Sequence, residues 1–335
     1  MPFQIAIVGL GPAGIFALAS LPLEQLHRTI VFEPNCIGGD LFALYGEIKA
    51  NIPKLDIVTA FRTIPRWKEK PLTFLQSYSD TDCPLLSDVC NQIREWILPD
   101  IELAHFHTQR ISKFTECAQG WKMETDHGET FETEKLILCI GAKPKTMNLP
   151  KQHVPLQHAL SISQLRQHVR TTEKVVVFGT AHSGTLILKN LHDIGCKDVY
   201  AIYRGKTPFM YARDGVLGGI KQESANIADA IPTWTDTPTF LSYDDFSKLF
   251  RIVQDADTVI YSFGFEPCRI QYKDETGTNQ VFVHTPSNAQ FEHTRNVWGF
   301  GIGFPSLANG RADIGFKGFI GAIQSALPSI LPPSL

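Results

Sequence analysis

Residues Gly9-Leu10-Gly11-Pro12-Ala13-Gly14 constrain this chain more than any other stretch, because of what flanks them. An apolar run, Phe3 to Val8, precedes them and reads as a buried parallel strand. Ile15 to Ala19 follow and read as the start of a helix. A second apolar strand, Thr29 to Phe32, ends in Glu33. Strand, glycine turn, helix, strand and acid, in that order, describe a dinucleotide-binding unit. Gly9 permits the tight turn, Gly11 leaves the backbone open to a pyrophosphate, and Gly14 lets the helix pack closely on the strand. The free N–H groups and positive dipole end of the helix then face the phosphates. Pro12 and Ala13 lie in the same contact surface, as does Pro34 just past the acid. Glu33 stands about 20 residues beyond the glycines, the reach expected of a carboxylate that accepts from both ribose hydroxyls.

The chain has 335 residues, enough for two domains with separate cores. Its formal charge is -3 and no Lys/Arg block stands out, so it offers nucleic acid no electrostatic footprint. The first strand begins at Phe3, with no basic region or cleavage site ahead of it, and no apolar run is long enough to span a bilayer. A cytoplasmic protein acting on a small molecule is the expectation, without nucleic-acid or membrane partners. Cys36, Cys83, Cys90, Cys117, Cys139, Cys196 and Cys268 form no C-x-x-C pair and no cluster with zinc spacing. They read as reduced thiols, Cys139 as a small core residue, and no metal site is expected.

A second unit of the same kind starts near the middle. Lys174 to Phe178 is a strand, Gly179-Thr180-Ala181-His182-Ser183-Gly184 is the turn, and Thr185 to Leu191 continues as a helix. The strand Asp198 to Tyr203 then ends at Arg204. Ala181 replaces the central glycine, which leaves the backbone slightly less open to phosphate. Arg204 stands where an acid would select a plain ribose. Arginine there accommodates a 2′-phosphate through bidentate bonds, which favours NADPH over NADH.

Between the units, Pro84 to Ile97 reads as an amphipathic helix. Short strands are expected at Ile101–Leu103, Arg110–Phe114, Trp121–Thr125 and Thr130–Thr133, with a longer one at Lys135–Ile140 that ends in Gly141-Ala142. Pro144 and Pro150 suit a crossing between domains. The strand Thr258–Phe263 closes the second unit and runs into Gly264. Asn296 to Gly303 offers one more strand and glycine turn, followed by a helix over Gly318–Leu327. The pattern implies an α/β chain: a first domain from 1–150 and 264–335, and a second, 151–263, inserted into it.

Taken together, these motifs resemble the two-dinucleotide flavoproteins, the group that holds the pyridine nucleotide-disulfide reductases and the flavin-containing monooxygenases. The resemblance covers nearly the whole chain and implies two Rossmann-like domains, FAD on the first and NADPH or NADH on the second. The residues it assigns to cofactors, besides those of the two turns, Glu33, Pro34 and Arg204, are Gly38, Gly39, Asp40, Leu41, Asn51, Ile111, Gly141, Ala142, Gly264, Gly301 and Ile302. Disulfide reductases of the group need a cysteine pair beside the flavin, and this chain has none. The stretch Gly38 to Lys54 looks like the monooxygenase pattern, in which a double glycine is followed by an Asn-x-Pro. Asn51 matches that asparagine. It is the expected positioning residue, or else it simply turns the chain before Pro53. Leu41 replaces a tryptophan of the family, and Ile302 replaces an aspartate that normally holds the ribityl chain. Backbone N–H groups of Gly301 to Gly303 are the expected substitute, at a helix amino terminus or in a nest. His153 and His158 read as solvated linker residues. The segment Phe209 to Ala230 is a candidate cleft lining.

The expected activity is FAD-dependent NAD(P)H oxidation, monooxygenase-like, with electrons passing to oxygen or a small organic acceptor. Two alternatives stand beside it: reduction of a quinone or low-molecular-weight disulfide, and a flavoprotein fold retained for binding after catalysis lapsed.

Overall fold

The computed structural model describes residues 2–209 and 219–331. Two parallel sheets organise it. The first contains β1 (Phe3–Val8), β2 (Thr29–Phe32), β3 (His105–His107), β6 (Thr130–Leu138) and β18 (Val297–Gly299), ordered β3-β2-β1-β6-β18. Ile7 pairs with Val31 on one side and Ile137 on the other. The amino-terminal half of β6 also joins an antiparallel meander with β4 (Ile111–Cys117) and β5 (Gly120–Thr125). That meander extends to β14 (Gln271–Lys273) and β15 (Asn279–Val281). The small strands β16 (His284–Thr285) and β17 (Gln290–Phe291) brace β18.

The second sheet has the order β11-β10-β9-β12-β8, every pair parallel. Its strands are β8 (Gln152–Val154), β9 (Val175–Phe178), β10 (Val199–Tyr203), β11 (Thr239–Ser242) and β12 (Thr258–Tyr261). Both sheets thus place their glycine-turn strand, β1 or β9, at the centre. Each centre strand is buried on both faces, which is why it reads as a continuous apolar run.

Helices cover the faces. α1 (Pro12–Ser20) is apolar nearly all round because it is buried between the first sheet, α5 (Leu86–Leu103) and α11 (Phe316–Ile330). Phe16, Phe61, Trp67, Trp96 and Phe316 meet edge-on or tilted there, with ring centroids 5.4–6.3 Å apart. The Arg66 guanidinium caps the carboxyl end of α1 by donating to the Leu18 carbonyl, and ion-pairs with buried Asp100 of α5 at 2.8 Å. The remaining helices are α2 (Leu23–Leu26), α3 (Gly39–Tyr45), α4 (Lys54–Phe61), α6 (Leu156–Leu160), α7 (Ile162–His168), α8 (His182–Asp193), α9 (Gly219–Ala230) and α10 (Phe246–Asp255).

Three expectations need correction. Ile101–Leu103 is not a strand; α5 continues through Pro99, and Ile101 is buried in the core on the face it shares with Ile93 and Ile97. Thr130–Thr133 and Lys135–Leu138 are one strand, β6, because the chain switches pairing partner without breaking. A hairpin, β19 (Ser306–Ala308) with β20 (Arg311–Asp313), separates the glycines 301–303 from α11. Those glycines therefore do not open a helix.

The chain passes between its sheets through a two-stranded ribbon, β7 (Ala142–Pro144) against β13 (Phe265–Pro267). Lys143 and Glu266 ion-pair across it at 3.3 Å.

Candidate nucleotide sites

Both glycine turns are built by the same close contacts. Gly9 has φ +94°, and a Cβ on it would lie 2.4 Å from the Cys139 carbonyl oxygen. Gly179 has φ +100°, and its Cβ would lie 2.3 Å from the Ser262 oxygen. Gly14 and Gly184 would place a Cβ 2.0 and 1.9 Å from the carbonyl oxygens of Gly9 and Gly179. Only glycine fits at these four positions. Gly11 is different. A Cβ there meets nothing nearer than the Gly38 oxygen at 3.9 Å, so no protein atom demands glycine. It caps α1 with Pro12 at the first helical position, and its backbone is left open on the side where an anion meets the helix end.

Around the first turn the chain gathers other short residues. The Gly38 N–H donates to the Leu10 oxygen at 2.9 Å. A Cβ on Gly39 would sit 3.0 Å from the Gly11 Cα. Gly301, at φ +93°, faces the Ala13 side chain, and Gly303 lies against the Gly141 carbonyl. Gly9, Gly11, Ala13, Gly14, Gly38, Gly39, Gly141 and Gly301 are thus brought together, with Ile302 between two of these contacts. Gly141 and Gly264 both have positive φ with open space where a Cβ would stand, and they lead into the two ribbon strands. Ala142 is the first residue of β7.

Glu33 is buried, and its carboxylate is already at work. One oxygen accepts from the Leu10 N–H at 2.8 Å, the other from the Asn35 N–H at 2.9 Å. It therefore ties the end of β2 to the glycine turn, a role that spacing alone did not reveal. An ionised carboxylate offers about four lone-pair sites, so acceptor capacity for two hydroxyls remains. Pro34 is half-buried beside it.

The second turn is more closely covered. Thr180 is buried, and its hydroxyl accepts from the Phe209 N–H at 3.5 Å. His182, the first residue of α8, has Nδ1 2.9 Å from the hydroxyl of fully buried Ser224. That hydroxyl also donates to the Lys221 carbonyl at 3.0 Å, so it accepts from the Nδ1–H of His182. Ala181 caps α8 in extended backbone, and Ser183 is half-buried in the first turn. Arg204 is exposed at the end of β10 and makes no ion pair or hydrogen bond among the described residues.

Other expected residues stand farther from these contacts. Asn51 is exposed with an unbonded amide among the described residues, and the cap of α4 is Pro53, so Asn51 caps nothing. Leu41 packs on the first core, and Ile111 packs against the opposite face of the first sheet. Asp40 lies exposed in the first turn of α3. Burial, with Asp40 second, pushes the Tyr45 hydroxyl up to about 12. Tyr45 meets Phe265 of the ribbon at 6.0 Å, a contact with no sequence signal. His153 is exposed as expected but lies in strand β8 against the Tyr261 ring rather than in a linker, and the Nδ1 of His158 is buried. Of the proposed cleft lining, 210–218 lies outside the described residues.

Two parallel sheets, each with a glycine turn opening a central helix, define the Rossmann-type class of FAD and NAD(P) oxidoreductases. The chain belongs to the pyridine nucleotide-disulphide oxidoreductase family, whose pattern it matches over residues 3–216. It is 27% identical over 215 residues to the monooxygenase AgnR1 of Paecilomyces divaricatus, covering 56% of this chain and 54% of that protein. The chain thus spans about half the length of this curated relative. In fold it is similar to a bacillithiol disulfide reductase from Bacillus cereus, with TM-score 0.66, 14% identity, and coverage of 98% of this chain and 99% of the other. It is also similar to an L-lysine 6-monooxygenase from Pseudomonas syringae, with TM-score 0.64, 14% identity, and coverage of 98% and 99%. Among the described residues no helix is long and apolar enough to cross a membrane.

Proposed function

We propose that this chain is an FAD-dependent NAD(P)H oxidoreductase of monooxygenase-like type that prefers NADPH. Residues of the first turn would hold FAD and those of the second a nicotinamide dinucleotide. When bound, FAD would supply two-electron redox chemistry between a nicotinamide and oxygen or a small organic acceptor. The single observation that carries the reading is Gly11, a glycine at a helix amino end that no neighbouring protein atom requires.

The chain's own residues then have distinct tasks. The α1 N–H groups hold the FAD diphosphate, and the spare acceptor sites of Glu33 take the ribose hydroxyls. Gly38, Gly39, Gly141 and Gly301 let backbone approach the cofactor, and Asn51, whose amide is unbonded among the described residues, is the candidate to orient the reacting rings. Arg204, with no partner among the described residues, supplies a guanidinium for a 2′-phosphate. The thiols favour an outside acceptor over a protein dithiol. Burial pushes Cys90 up to about 12 and Cys196 up to about 11, and raises Cys36, Cys139 and Cys268 as well. A dithiol relay needs a thiolate.

The test is a visible spectrum of the purified protein, followed by anaerobic titration. Flavin bands that bleach at lower NADPH than NADH support the reading. Protein that stays colourless after incubation with FAD overturns it. Under air, rapid turnover only when a quinone or small disulfide is added would move the assignment to a reductase.

A further inference from the structure

Beside the first turn stands a cation that the sites above leave unused, Arg94 of α5. Ser87, Cys90 and Arg94 follow one another at i, i+3 and i+7, so they share one face of that helix. The face looks onto α3 and the loop that leads into it. A Cβ on Gly46 would lie 3.2 Å from that of Ser87, and one on Gly38 would lie 3.7 Å from the Arg94 Cδ. The Arg94 Cζ stands 4.1 Å from the centroid of the Phe42 ring of α3. That stacking covers a flat face of the guanidinium and leaves its N–H edges for other partners. Arg94 is half-buried, yet makes no ion pair or hydrogen bond among the described residues. The segment it borders is the one that meets Gly11, through the Gly38 bond to Leu10 and the packing of Gly39 on the Gly11 Cα. Burial raises the Cys36 thiol, Glu33 raises it further, Arg94 lowers it and Asp40 raises it, so all three charges reach this loop. A diphosphate at the α1 amino end would add negative charge to that of Glu33 and Asp40. The helix dipole offsets about half a charge. Arg94 is the cation of the set.

We infer that Arg94 is a binding residue for the FAD diphosphate, contributed by α5 as the counter-charge to Glu33 and Asp40. The inference rests on the reading of the first turn as the FAD site. Phe42 holds the plane of the guanidinium, so less side-chain freedom is lost when an anion pairs with it. Its fork of N–H donors suits two phosphate oxygens at once, which a lysine ammonium does not match.

FAD and ADP are the probes, titrated against the whole chain freed of flavin, FAD by fluorescence quenching and ADP by calorimetry. Arg94→Gln should weaken FAD and ADP alike, each about thirtyfold, the worth of one charge-assisted hydrogen bond. Arg94→Lys should recover part of that loss, because it restores the charge without the fork. Added salt should weaken FAD binding more in the native chain than in Arg94→Gln, a difference that a packing role does not produce. If Arg94→Gln does not fold, Phe42→Leu carries the test: loosening the guanidinium should weaken both probes about threefold. Native-like FAD binding by the variants overturns the inference and leaves the reading of the first turn standing. So does a loss confined to FAD with ADP unchanged, or an unchanged response to salt. Failure of the native chain to bind FAD overturns both.

Discussion

The two glycine turns share their scaffold and differ in what lies around it. In each, one glycine passes under a carbonyl from the neighbouring strand end, and another lets the helix rest on the turn. At the middle position the first turn has Gly11, unopposed by protein, and the second has Ala181. At the end of the following strand the first has Glu33, held by two backbone N–H groups, and the second has Arg204, held by nothing described. The packing positions are common because both turns must solve the same steric problem. The positions that differ are those a ligand would touch.

The comparison breaks most sharply at the packing glycines. Gly14→Ala and Gly184→Ala each force a Cβ onto a backbone oxygen, and each should cost about 3 kcal/mol or more. Chemical denaturation of both variants checks this, and equal losses would establish the shared scaffold. A tolerated Gly184→Ala would show that the second turn relaxes where the first does not.

The next effect separates the two units by acid. His284 braces the first unit alone, meeting Phe291 and Phe304 at a tilt, and the rings of both close on Gly299. Burial lowers its pKa from 6.5 to about 4, against a smaller opposing effect of the ring's bond to the Gly299 backbone carbonyl. The folded state therefore resists protonation that the unfolded chain accepts. Stability is unaffected above pH 6.5 and falls as pH drops from 6.5 towards 4, by roughly 3 kcal/mol in all. His284→Phe should flatten that part of the stability-versus-pH curve.

Smaller still is the contrast at the strand ends. Glu33→Ala leaves two N–H groups without partners and should cost about 2 kcal/mol of stability. Arg204→Gln should leave stability within about 0.5 kcal/mol and raise KM for NADPH about tenfold, with KM for NADH unchanged. Steady-state kinetics with both nucleotides, beside thermal melts, separates the two roles. The smallest effect belongs to the middle positions. Ala181→Gly should change KM for NADPH by only about two- to threefold. Gly11→Ala, which clashes with no protein atom, should weaken FAD binding and hardly move the melting temperature.

Much of this was legible in the sequence for a physical reason. A buried parallel strand needs a continuous apolar run, and a turn beneath a carbonyl needs glycine, so β1, β9 and their turns announce themselves. Glu33 was legible as an acid at the right distance, but its bonds to Leu10 and Asn35 were not, because they depend on how β2 ends in space. The hairpin 306–313 was missed since its strands are three residues each, too short for alternation to mark them. The extension of α5 past Pro99 was missed because proline normally ends a helix, and here tertiary burial of Ile101 overrides that preference. His153 looked like linker because a three-residue edge strand leaves almost no periodic trace.

The ribbon carries one more lesson. Lys145 donates to the Gly264 carbonyl at 2.9 Å, and Pro144 faces Phe265, so the stretch between them departs and returns at a single doorway. Joining the chain across that doorway needs only a short bridge. If that stretch is a separable insert, excising it across the doorway should leave both pieces folded, which thermal melts of the two fragments would check.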